Sequence, residues 1–78
     1  MTRTQEWIVR YLDRRGFCSP TQIGRAYGDF LHGNNSFHTF HSAWASPRCL
    51  ELTKMGALER NNKGHYRLRF EAKDWLDK

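Results

Sequence analysis

The sequence predicts a small α+β domain built from a three-helix core, a small antiparallel β-hairpin and a short C-terminal helix. Three observations carry this. Apolar residues recur at helical spacing at Trp7, Ile8, Tyr11 and Leu12, and again at Ala45, Cys49 and Leu52. Ser19-Pro20-Thr21-Gln22 has the chemistry of a helix start. After Gly56 the period changes to two. Tyr66, Leu68 and Phe70 alternate with Arg67 and Arg69 beyond a turn at Asn62-Lys63-Gly64.

The first helix is expected over Thr2 to Arg15. Thr2 or Thr4 caps it, and Gly16 supplies the left-handed residue just past its end. Arg3, Glu6, Arg10, Asp13 and Arg14 lie away from its apolar face, and Trp7 and Tyr11 read as core rather than as a stacking platform for bases. Phe17 and Cys18 form an extended link that can add a third strand to the hairpin. The second helix is expected from Pro20 to about Tyr27. Ser19 and Gln22 complete a capping box, Ile23, Ala26 and Tyr27 face inward, Gly24 allows a close helix contact, and Gly28 ends the element. From Asp29 to His41 the pattern is a long loop that turns at Gly33, Asn34 and Asn35. Phe30, Leu31, Phe37 and Phe40 tuck its two arms against the domain.

For the third helix two N-caps stay open. With Ser46, Pro47 takes the favoured first position; with Ser42, Pro47 falls in the second turn and bends the helix. A helical turn from Ser42, nearly continuous with 47–55, is expected. Its core stripe is Ala45, Cys49, Leu52 and Gly56, and Ala43, Pro47, Leu50 and Lys54 point away from it. Strands follow over Ala57 to Asn61, with Leu58 inward and Glu59 outward, and over His65 to Phe70. The tail, with Ala72, Trp75 and Leu76 among Glu71, Asp74 and Asp77, reads as the short terminal helix, packed back or meeting a second copy.

Seventy-eight residues leave room for one hydrophobic core, so 1–78 is read as a single domain. Thirteen Lys and Arg against eight Asp and Glu give +5, which suits a polyanionic partner or simply solubility. The distribution says more. No carboxylate occurs between Phe30 and Leu50, and 60–69 holds four cations and no acid. No run spans a membrane and no signal pattern is seen, so Cys18 and Cys49 are expected as reduced, buried thiols in a cytoplasmic protein. His38 and His41 have the spacing of one helical turn, yet no second ligand pair accompanies them, so no metal site or other cofactor is expected. Phosphate loops, nucleophile motifs and paired carboxylates are lacking, which argues against an enzyme and a small-molecule substrate.

The stretch Ser42-Ala-Trp-Ala-Ser-Pro-Arg-Cys-Leu-Glu-Leu-Thr-Lys-Met-Gly-Ala-Leu-Glu-Arg-Asn-Asn-Lys-Gly-His-Tyr-Arg-Leu68 resembles the winged helix-turn-helix superfamily of small prokaryotic and phage DNA-binding proteins. The order of elements matches over nearly the whole chain, whereas the motif match is confined to this stretch. The resemblance implies that the third helix is the recognition helix and that 61–64 is the wing. It implies a small transcriptional regulator that holds double-stranded DNA. Ser42, Ser46 and Arg48 then meet the major groove, Lys54 lies further along the outer face, and Arg60, Lys63 and His65 meet phosphate or the minor groove; His41 and Asn62 adjoin these two groups. Arg48 has the chemistry to bind guanine bidentately; otherwise it is a solvated arginine or a partner of Glu51. The alternative is a winged helix that binds protein, as a phage accessory factor or complex subunit. A homodimer is expected to seal through Trp75 and Leu76.

Overall fold

Thr2 starts the first helix with a reciprocal cap. Its Oγ1 accepts from the Gln5 backbone N–H at 3.1 Å, and the Gln5 side chain accepts from the Thr2 N–H at 2.9 Å. This is a computed structural model, and it describes residues 2–33 and 41–72. Helix α1 spans Arg3–Leu12 and buries Gln5, Ile8, Val9 and Leu12. It stops three residues short of the expected Arg15. Asp13 is extended, and Arg14, at φ 66°, makes the left-handed turn expected of Gly16. The early exit has a reason further along. Cys18 has to reach the hairpin, where it exchanges two backbone hydrogen bonds with Tyr66 at 2.8 and 2.9 Å.

Helix α2 spans Pro20–His32. Ser19 Oγ accepts from the Gln22 N–H at 3.1 Å, but the Gln22 side chain donates to the Tyr11 hydroxyl at 3.3 Å, so the expected capping box is only half made. The helix does not end at Gly28. It continues through Asp29, Phe30 and Leu31 and closes at Gly33, whose φ is 82°. A glycine inside a helix costs about 1 kcal/mol relative to alanine. Here Gly24 and Gly28, one turn apart, are both buried within α2. The expected long loop accordingly begins no earlier than Gly33. The expectations placed on Asn34, Asn35, Phe37, His38 and Phe40 lie outside the described residues.

Helix α3 spans Ser42–Lys54 and is continuous across Pro47. Neither serine is its cap: His41 occupies that position, extended, and its side chain makes no capping hydrogen bond. Gly56, at φ 88°, turns the chain into β1 (Leu58–Arg60), which pairs antiparallel with β2 (Tyr66–Leu68) in the register Leu58 with Leu68 and Arg60 with Tyr66. Cys18 forms an isolated bridge on the other side of Tyr66, so the hairpin gains the one-residue third strand the link allowed. Both strands are shorter than expected. Beyond Leu68 the Arg69 N–H still reaches the Ala57 carbonyl at 2.9 Å, after which 70–72 form a tight helical turn. Phe70, expected to face inward, is 81% exposed; Ala72 is buried in its place. The terminal-helix expectation for Asp74, Trp75, Leu76 and Asp77 lies outside the described residues.

The result is an α+β winged-helix architecture. Its core joins Ile8, Val9 and Leu12 of α1, Ile23 of α2, Ala45, Cys49 and Leu52 of α3, and Leu58, Tyr66 and Leu68 of the hairpin. Cys18 and Cys49 are free, buried thiols. Burial pushes the Cys49 thiol up to about 12, and it also raises Cys18, against which the nearby Arg15 acts. No helix among the described residues is long and apolar enough to cross a membrane.

Candidate nucleic-acid interface

Helix α3 is anchored by Ala45, Cys49 and Leu52, each fully buried. At 100° per residue the opposite side carries Ala43, Pro47, Leu50 and Lys54, all exposed, with Glu51 beside them. His41 and Ser42 stand exposed at its N-terminus, and Ser46 is half-buried one turn on. The first turn contains no acidic residue and no side-chain cap. The His41 carbonyl accepts from the Trp44 and Ala45 N–H groups at 2.9 and 3.2 Å, whereas the N–H groups of Ser42 and Ala43 precede any helical acceptor. Among the described residues no acceptor takes these two donors, and the helix end carries a partial positive charge.

Arg48 does not join that outward face. Its Nη1 donates to the Trp44 carbonyl at 2.8 Å, and its guanidinium lies 4.7 Å over the Trp44 ring. Trp44 in turn stacks on Tyr27 at 4.5 Å between ring centroids, and Tyr27 meets Trp7 edge-on at 5.0 Å. Trp7 stacks on Tyr11 at 5.2 Å, and Arg15 lies 4.3 Å over the Tyr11 ring. A row of four rings thus crosses all three helices, closed at each end by an arginine. This accounts for Arg48 better than a solvated side chain or a pair with Glu51. The apolar spacing of the sequence located Trp7 and Tyr11 but gave no sign of the cross-helix stacking.

The wing is organised by Asn61, which the sequence did not single out. Its Oδ1 accepts from the N–H groups of Lys63 and His65 at 2.9 and 3.0 Å, and its carbonyl accepts from Gly64 at 3.1 Å. An asparagine bonding to backbone two residues on is a common turn device, so Asn61-Asn62-Lys63-Gly64 did contain the signal. With the tip fixed in this way, Asn62 and Lys63 are exposed and His65 is half-buried. Gly64 has φ 76°, and a Cβ there would meet the Arg60 Nη2 at 3.2 Å, so the Arg60 guanidinium folds back over the turn. Burial raises the Tyr66 hydroxyl above the ordinary tyrosine value, and Arg60, hydrogen-bonded to it, pulls it part of the way back.

Ser42, His41 and Ser46 thus cluster at one end of α3, Lys54 lies at the other end of its outer face, and Asn62 and Lys63 form the wing tip. Arg48 and Arg60 are held by intramolecular partners. Among the described residues, no group of three or more His, Cys, Asp and Glu side chains could hold a metal ion. Comparison with protein-family models, with curated proteins and with solved structures finds no match to this chain.

Proposed function

We propose that this domain binds duplex DNA as a small transcriptional regulator of the winged helix-turn-helix type, with α3 in the major groove and the wing against the backbone. The observation that carries the reading is the N-terminus of α3, which has no side-chain cap, lacks acids in its first turn, and presents exposed His41 and Ser42. Backbone donors so placed suit phosphate, which would seat the helix before any base is read. Ser46 and the exposed Ala43, Pro47 and Leu50 then face the base edges, where small apolar groups suit the thymine methyl. Lys54, Lys63 and Asn62 supply backbone contacts, with Arg60 and His65 beside them at the wing. Arg48 acts through Trp44, setting the angle of the helix start.

The test is retention of mixed duplex DNA by the full chain across a salt series. Phosphate contacts at the helix start, Lys54 and Lys63 predict a log–log slope of about −3. Lys63→Ala should lower its magnitude by about one. A folded sample that shows no retention at low salt rules the reading out.

A protein-binding role has one observation in its favour. Phe30 is 64% exposed beside Trp7 and Tyr27, and Leu31 is exposed next to it. An apolar edge of this kind suits a protein partner. Unchanged duplex retention in Lys54→Ala/Lys63→Ala, with the fold intact, would move the DNA surface away from α3 and the wing, whereas no retention by the folded parent at low salt would favour the protein role. A homodimer through Trp75 and Leu76 remains part of the proposal, and sedimentation of the full chain against Trp75→Ala tests it.

A further inference from the structure

A cleft of about 490 Å³ opens between the end of α1 and the outer side of the hairpin, lined by Arg14, Arg15, Arg67 and Arg69 together with Glu59 and Glu71. None of its lining residues belongs to α3 or the wing tip, so DNA held as proposed above leaves it unused. The two carboxylates are already engaged, Glu59 with Arg67 and Glu71 with Arg69 at 3.6 Å. Arg15 donates to the Tyr11 carbonyl at 2.6 Å and lies over the Tyr11 ring. Arg67 also lies 4.7 Å over the Phe17 ring, which holds its guanidinium in place. Arg14 is different. Among the described residues it has no ion-pair or hydrogen-bond partner.

The backbone at Arg14 points the same way. It occupies the left-handed region at φ 66°, where glycine sits without strain and arginine does not. Helices often close on a glycine at this position, and Gly16 stands only two residues later without being used for it. The chain thus keeps a strained arginine where a glycine would fold more easily, and this arginine lines the cleft together with three further arginines and two ion-paired carboxylates.

We propose that this cleft is an anion site for a phosphate-bearing ligand, with Arg14, which has no partner among the described residues, as the guanidinium that binds it and the paired Arg67 and Arg69 as flanking positive charges. Guanidinium forks match phosphate oxygens in geometry as well as charge. The source is either a free phosphate compound or the backbone of a nucleic acid. The proposal does not rest on the α3 reading.

The test titrates the full chain with pyrophosphate at constant ionic strength, with binding read by calorimetry, and in parallel measures duplex retention across a salt series. Arg14→Gly removes the guanidinium and relieves the backbone, so this variant folds at least as well as the parent. Saturable pyrophosphate binding is expected, weakened roughly tenfold in Arg14→Gly and in Arg69→Gln, and unchanged in Lys63→Ala. A duplex salt slope that falls by about one in Arg14→Gly identifies the backbone as the source of phosphate. An unchanged slope with loss of pyrophosphate binding identifies a free compound. The proposal is overturned when Arg14→Gly alters neither measurement, or when Lys63→Ala weakens pyrophosphate binding as much as Arg14→Gly does. Absence of duplex retention would end the α3 reading while leaving the pyrophosphate result to decide the cleft.

Discussion

Pro47→Ala should stabilise this protein. Pro47 is the sixth residue of α3, beyond the first turn where a missing N–H goes unnoticed. It has no proton to offer the Ala43 carbonyl, its ring crowds that carbonyl, and it disfavours the helical backbone that Ser46 nevertheless adopts. In a helix interior, proline costs about 3 kcal/mol relative to alanine. The substitution also frees the unfolded chain, which gives back ~0.4–1 kcal/mol. Pro47 is exposed, so little packing is lost. The net gain is about 2 kcal/mol. With an unfolding entropy near 2 cal/mol/K per residue, a chain of this length should gain roughly 12 °C in Tm. Urea and thermal unfolding followed by tryptophan fluorescence would measure it. No gain, or a loss, would refute the reasoning, since it would mean that α3 accommodates the ring without strain.

Gly64→Ala should cost about 1 kcal/mol for the positive φ, plus whatever is needed to displace the Arg60 guanidinium 3.2 Å away. Gly56→Ala, with positive φ and nothing within 4 Å, isolates the backbone part, so chemical unfolding of the two variants gives the Arg60 contribution as their difference. Asn61→Ala removes the acceptor for two backbone N–H groups at the wing and should cost ~1–2 kcal/mol in the same assay. The Cys49 thiol, raised by burial to about 12 against an unfolded value of 9.0, stays protonated in the folded chain while the unfolded chain ionises. Its contribution is therefore whole below pH 9 and declines as pH rises towards 12, by about 1.4 kcal/mol per pH unit. Cys49→Ala should flatten that alkaline limb, in urea unfolding between pH 8 and 11, relative to the parent.

The elements were legible where one physical rule acts alone. The stripe Ala45, Cys49, Leu52 and the alternation Tyr66, Leu68 need only a buried face and a period, and both are buried as expected. Ends were harder, because there local preference competes with packing. Gly28 has the chemistry of a stop, yet it is buried inside a helix that runs on to Gly33, where φ is 82°. Gly16 has the chemistry of a left-handed cap, yet the need to bring Cys18 to Tyr66 places that turn at Arg14. Phe70 continues the alternation by type, but the strand has already ended at Leu68 and the tight turn over 70–72 carries its ring into solvent. For the candidate site, spacing located α3 and the wing. The use made of each cation was not legible, because it depends on which ring or carbonyl a long side chain meets across helices.

The formal +5 counts all thirteen Lys and Arg alike, but the fold has engaged several of them. Arg10 pairs with Glu6, Arg67 with Glu59 and Arg69 with Glu71, while Arg15 and Arg48 lie over aromatic rings and donate to the carbonyls of Tyr11 and Trp44. A guanidinium held in this way keeps its charge, but moving it onto a phosphate costs the contact it leaves. Among the described residues, the cations without such a contact are Arg3 and Arg14 near the two ends of α1, Arg25 on α2, Lys54 at the end of α3 and Lys63 at the wing tip. Lys54 and Lys63 lie with the candidate DNA surface and Arg14 lines the hairpin cleft. Two sites of modest charge on different parts of the domain are therefore proposed, and Lys63→Ala should separate them by lowering the duplex salt slope while leaving pyrophosphate binding unchanged.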